Sequence, residues 1–161
     1  MGMDLDLLGY ATGLRRRGTG GTRGGDGEVW CGVRRGWYLA QPEELVRQAL
    51  LAHLCERGYP PSLMQVERRV GPSGDRLDLL VFDPQHRPFL IVECKAPGYA
   101  LQPAVLQLAR YNRHWSAPYA LAVNGVSAVC LRIDFEGQRA DELEALPDYP
   151  RGPVVAVSRG S

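Results

Sequence analysis

The chain has 161 residues, 45% of them apolar and 23% charged, which suits one globular domain with a sizeable core. Its formal net charge of +1 gives no overall basic excess to announce a polyanion partner, although arginines gather at Arg15-Arg16-Arg17, Arg34-Arg35, Arg68-Arg69 and Arg110/Arg113. No apolar run reaches the roughly 18 residues of a membrane span and no signal-peptide core opens the chain, so no membrane partner and a cytoplasmic location are expected.

Residues 1–27 are poor in apolar periodicity after Leu8, turn Gly/Arg-rich from Gly13 to Gly27, and are expected to form an unordered tail. Residues 30–39 read as a short strand or edge segment. A helix is predicted over 42–57: Pro42 suits its first turn, Glu43 and Glu44 favour the dipole there, and Gly58 stops it ahead of Pro60-Pro61. Val46, Ala49, Leu50 and Leu54 give that helix its apolar stripe. Strands follow at 63–70, 76–82 and 88–95, the last two joined by the hairpin loop at 83–87. A second helix spans 102–114, and strands at 119–123 and 126–133 flank Asn124-Gly125. The acidic stretch at 141–146 reads as a last helical turn. This order of elements predicts an α/β domain over 28–140, a mixed central sheet flanked by helices, with a partly irregular extension over 141–161.

The strand at 88–95 is apolar until Glu93 and Lys95, two residue types depleted from strands. Side chains two apart share a face, so these two point together, and Asp78 on the neighbouring hairpin strand can meet them. Two carboxylates beside an ammonium can hold Mg²⁺, with Mn²⁺ as a substitute and the Cys94 carbonyl as a further oxygen ligand. Such a metal orients water and neutralises charge on a phosphodiester in transit, while Lys95 steadies the same charge. The structural alternative is a buried Glu93–Lys95 ion pair with Asp78 holding a turn.

Glu43 is the better placed of the two helix acids to look at the sheet, and its alternative is an ordinary i,i+4 pair with Arg47. Gln107 and Tyr111 share one face of the second helix; with Arg47 they are candidates to hold the substrate phosphate. Cys31, Cys55, Cys94 and Cys130 lack CxxC spacing and read as free thiols. His53, His86 and His114 lack metal-ligand spacing, and no GxxxxGK[ST] loop marks a motor.

As an ordered set, Pro42-Glu43-Glu44-Leu45-Val46-Arg47-Gln48, Arg76-Leu77-Asp78, Val92-Glu93-Cys94-Lys95-Ala96-Pro97, Gln107-Leu108-Ala109-Arg110-Tyr111-Asn112 and Val123-Asn124-Gly125 resemble the N-terminal nuclease domain of type I restriction enzyme R subunits, within the PD-(D/E)xK superfamily. The resemblance covers about 35–135. It implies a restriction-endonuclease-like fold and Mg²⁺-dependent DNA cleavage, with Asp78, Glu93 and Lys95 catalytic, Glu43 as the helix-one acid, and Gln107 and Tyr111 as the Q-xxx-Y element. Leu77 stands where the superfamily's motif name has Pro, and the helicase motor of an R subunit has no counterpart in this sequence. Expected partners are DNA and either a second copy or helicase and modification subunits. The rival expectation is a silent nuclease-fold module that binds nucleic acid or a protein without cutting.

Overall fold

A computed structural model describes residues 2–18 and 27–151. In chain order its elements are β1 (Met3–Asp4), α1 (Leu8–Ala11), β2 (Arg16–Arg17), β3 (Glu28–Cys31), β4 (Gly36–Leu39), α2 (Pro42–Glu56), β5 (Met64–Arg69), β6 (Arg76–Phe82), β7 (Pro88–Cys94), α3 (Gln102–Tyr111), β8 (Tyr119–Val123), β9 (Ser127–Asp134) and β10 (Arg139–Leu143). The large sheet runs β1-β9-β8-β7-β6-β5, with β10 also on β9; β2, β3 and β4 form a separate small sheet. Within the large sheet every pairing is antiparallel except β7 with β8. A parallel pair needs a long crossover, and α3 supplies it.

The two long helices cover the central strands, as the mixed α/β expectation requires. Val46, Leu50 and Leu54 of α2 pack with Leu79, Val81, Leu90 and Val92. Ala104, Leu108 and Tyr111 of α3 pack with Leu77, Leu80, Ile91 and Ala120. Alternation in a regular strand would put Leu77 and Leu79 on one face, yet they join different clusters. The cause lies between them. The β6–β7 register runs from Phe82 opposite Pro88 to Leu79 opposite Val92 and goes no further toward Asp78 and Glu93. On the other flank, Glu67 sits between the pairs Val66–Leu79 and Arg68–Leu77 with φ at +56°. The sheet therefore loses its regularity around Asp78.

A left-handed φ costs a non-glycine residue about 1–2 kcal/mol. Glu67 bonds Arg34 at 3.4 Å and Arg76 at 3.7 Å with its side chain 37% exposed, and such wet pairs return less than about 1 kcal/mol. Glu67→Gly is accordingly expected to leave stability unchanged or raise it by up to about 1 kcal/mol in urea denaturation. A clear loss would show that the ion pairs outweigh the strain.

Three expectations fail here. The stretch before residue 27 is not an unordered tail over its described part: β1 pairs with β9, and Leu7 is only 1% exposed within the α2-side cluster. Residues 19–26 lie outside the described residues. Residues 30–39 form parts of two strands joined by a turn rather than one segment. The predicted helical turn at 141–146 is instead β10, because the open ladder along β9 offers its backbone partners that an isolated turn of helix lacks.

After β10 a strap returns across the end of the sheet. Leu146 is buried, the Tyr59 hydroxyl donates to the Pro147 carbonyl at 2.5 Å, and the Tyr149 hydroxyl donates to the Phe82 carbonyl at 2.9 Å. Tyr149 also lies against Tyr59 and Phe89, with ring centroids 5.2 and 5.9 Å apart.

Candidate active site

The fork at the end of the β6–β7 ladder builds the site. Where backbone pairing stops, side chains take it over: the Asp78 N–H donates to Glu93 Oε1 at 3.3 Å, and the Cys94 N–H donates to Asp78 Oδ2 at 2.7 Å. Both acids are buried, Asp78 at 7% exposure and Glu93 at 3%. Asp78 Oδ1 also accepts from Arg47. The structure thus brings Asp78 and Glu93 into contact, as their spacing predicts.

Burial and the neighbouring Asp78 charge push the Glu93 carboxyl far above its ordinary range, and Lys95 pulls it only partly back. Lys95 itself is half-buried at the end of β7, its N–H held by the Val123 carbonyl at 2.8 Å. Its ammonium closes no ion pair among the described residues, so the alternative of a Glu93–Lys95 bridge is not what the structure contains. An acid pair with a loose cation beside it is the outcome.

Helix α2 brings two acids to this end of the sheet. Glu44, not Glu43, is the buried acid: it accepts from Arg47 Nη1 at 2.7 Å and from Arg34. Arg47 joins it to Asp78. Burial opposes the Arg47 charge, but Asp78 and Glu44 more than offset that, so its pKa rises. Arg34, on the turn between β3 and β4, rests its guanidinium 3.4 Å from the Tyr38 ring centroid and also reaches Glu67. A connected row Arg34–Glu44–Arg47–Asp78 results. Glu43 stands at the mouth, 4.0 Å from Arg47, where burial and the Asp78 charge raise its pKa against the pull of Arg47 and Lys95. Arg34, Tyr38, Leu39, Glu43, Arg47 and Glu67 line a cleft at that mouth.

Arg47 is therefore packed against acids rather than open to a substrate phosphate, its side chain only 7% exposed. Gln107 Nε2 donates to the Tyr111 hydroxyl at 2.7 Å, and Tyr111 is buried in the same cluster as Leu77, the neighbour of Asp78. Sequence reasoning missed Glu44 and Arg34. The i,i+3 spacing of Glu44 and Arg47 was a usable signal; nothing in the sequence ties Arg34 to either. Asn124 lies in the turn between β8 and β9. Its Oδ1 caps Val126 and Ser127, while its Nδ2 donates to the Tyr99 carbonyl at 3.0 Å, tying down the loop that follows Lys95.

Among the described residues no cluster of three or more His, Cys, Asp or Glu has the arrangement of a metal site. Mg²⁺ asks for less: one or two carboxylates, with water and substrate oxygens for the rest. Two buried carboxylates in contact, one of them driven toward its neutral form by burial and then by the charge of the other, fit such a cation, since a divalent charge offsets both. Asp78, Glu93 and the Cys94 carbonyl are the groups that would hold it.

Fold and site together define a mixed α/β domain with a carboxylate pair at a sheet fork. Its shape resembles a solved fragment described as an HsdR subunit of a type I restriction enzyme from Vibrio vulnificus YJ016, at TM-score 0.50 and 17% identity over 68% of this chain. The chain spans 24% of that fragment's length. No curated protein matches the sequence. The model of the type I restriction enzyme R protein N terminus matches residues 42–147, and the chain belongs to this family. No described helix is long and apolar enough to cross a membrane.

Proposed function

We propose that this chain is a metal-dependent DNA endonuclease of the cytoplasm whose centre is Asp78, Glu93 and Lys95, with Mg²⁺ as its cofactor and Mn²⁺ able to replace it. The observation that carries this reading is the contact of two buried carboxylates at the fork, with the Lys95 ammonium, which closes no ion pair among the described residues, just past the end of β7. Family membership supports it, since the matched family is a restriction enzyme subunit. The metal supplies an activated water and a counter-charge for the phosphodiester. Within the protein, Asp78 is held by Arg47 and the Cys94 N–H, Glu93 is held against Asp78, and Lys95, without an ion-pair partner among the described residues, is placed to meet an incoming phosphate. DNA is the substrate in this reading; a second copy or the helicase and modification subunits of a restriction system are its partners.

Asp78→Asn, Glu93→Gln and Lys95→Ala are each expected to remove the products that wild type forms from plasmid and single-stranded DNA under Mg²⁺ or Mn²⁺, by at least a hundredfold. Products that persist in all three variants, or in EDTA, would end this reading.

One observation favours a second reading. Arg47 and the Cys94 N–H engage both oxygens of Asp78, which suits a silent module that binds DNA without cutting it. Salt-sensitive DNA binding with no cleavage under either metal would favour that module.

A further inference from the structure

The small sheet β2–β3–β4 lies outside the stretch that matches the family, which begins at Pro42. One face is packed inward: Val29 and Cys31 are fully buried. On the opposite face Trp30 and Trp37 are direct cross-strand partners, their ring centroids 5.5 Å apart. The Arg15 guanidinium lies 5.2 and 5.1 Å from those two centroids, and Arg17 lies 4.3 Å from that of Trp37.

We propose that this face, through Arg15 and Arg17 seated on Trp30 and Trp37, grips the phosphodiester backbone of the DNA that reaches the Asp78–Glu93–Lys95 centre. A guanidinium held over an indole by its charge keeps its planar fork of N–H donors, which matches phosphate oxygens. Arg15 meets no carboxylate among the described residues, and Arg17 gives only its Nε to Glu28, at 3.1 Å. Both arginine side chains are exposed yet held by the rings, and Arg15, Arg17 and Glu28 together leave a positive balance among the described residues of the face. It is also continuous with the candidate site. Leu39, the cross-strand partner of Glu28, is 66% exposed and lines the cleft at the mouth of the acid pair. In the turn of the same hairpin, Arg34 is bonded to Glu44. A strand lying on the tryptophans would run on toward the fork.

The choice of DNA rests on the nuclease reading, so the test reads binding without turnover. The full chain carrying Lys95→Ala, in EDTA, is titrated onto a fluorescent 20-mer duplex and its single strand across a salt series. Adding Arg15→Ala with Arg17→Ala is expected to weaken binding roughly tenfold or more at 50 mM salt. It should also flatten the slope of log K against log salt by roughly 2, one counterion for each lost phosphate contact. Arg132→Ala with Arg139→Ala, on β9 and β10, serves as the control and is expected to change neither. An unchanged affinity and slope in the Arg15/Arg17 variant, an equal loss in the control, or no binding by the parent at 50 mM salt would each overturn the proposal. If the alanine variant melts early, Arg15→Lys with Arg17→Lys carries the test, because it keeps both charges and removes the planar fork. That pair should retain most of the slope with reduced affinity, and affinity equal to the parent counts against the planar fork. Cleavage by the Lys95 variant under Mg²⁺ is scored separately and bears on the nuclease reading alone.

Discussion

Arg47→Ala is expected to lower the unfolding free energy by about 3–5 kcal/mol, the usual cost of breaking a buried charge pair by removing one partner. The loss is large because Arg47 serves three acids at once. It donates to Asp78 and Glu44 and lies 4.0 Å from Glu43, with its own side chain almost fully buried. Without it, Asp78 and Glu44 lose their shared cation in a largely buried setting, and Glu93 stands in contact with Asp78. Against a typical domain stability of about 5–15 kcal/mol, that leaves little margin. Urea denaturation measures the loss. Adding Asp78→Asn to Arg47→Ala should restore part of it, since one orphaned charge is then gone. A cost under about 1 kcal/mol would mean that the acids find protons or water at once, and the row from Arg34 to Asp78 would not hold the site together.

Glu93→Gln is expected to do the opposite to stability while removing function. In the metal-free protein Glu93 is pushed well above the 4.5 of an ordinary glutamate, by burial first and by the Asp78 charge second. The folded chain then keeps a proton that the unfolded chain releases above that pH. Metal-free stability is therefore highest below about pH 4.5 on this account, and it declines as pH rises toward the raised value. Glutamine has the shape of the protonated acid, can still accept the Asp78 N–H, and does not ionise. In EDTA at pH 8 the variant should be more stable than wild type by about 1–3 kcal/mol, roughly 3–10 °C in melting temperature. Its stability should also lack this fall between pH 5 and 8. Added Mg²⁺ should raise the melting point of wild type and leave the variant where it was. A variant no more stable than wild type in EDTA would show that the acid pair carries no cost for a cation to relieve. The same substitution removes cleavage in the proposed reading, so the fold would be holding a destabilising pair for the sake of its chemistry.

How much of this was legible in the sequence depends on what each residue answers to. Strands β6 and β8 have the boundaries their apolar runs predict, because the hairpin loop at 83–87 and the Asn124-Gly125 turn leave little freedom at those ends. Helix α2 begins at Pro42 as predicted for the same kind of reason. The meeting of Asp78 with Glu93 was legible too, since pairing 76–82 with 88–95 across a short loop places 78 near 93. Its manner was not. Simple alternation assigns Asp78 to a face, whereas the structure ends the β6–β7 register there and uses the carboxylates as substitute pairing partners. That Glu44 would be the more buried of the two helix acids was not legible for a related reason: helical spacing gives relative angles, and only tertiary contact with Arg34 fixes which acid turns inward. Neither β1 nor the buried Leu7 is legible in the sequence, because a two-residue strand and a single buried side chain carry no periodicity.

The strap past β10 decides where this domain can be divided. The expected boundary near residue 140, read from where strong patterning fades, would cut within the β9–β10 hairpin. Even a cut after Leu143, which spares every strand and helix, would uncover one end of the sheet. Leu146 fills the α2-side core, and Tyr149 closes over Tyr59 and Phe89 while bonding the last carbonyl of β6. Arg57, just past the end of α2, holds the Leu146 carbonyl at 3.1 Å. A shortened chain would thus present aromatic rings to solvent and behave as an aggregation-prone fragment. The autonomous unit extends through Tyr149, beyond its last element of regular structure.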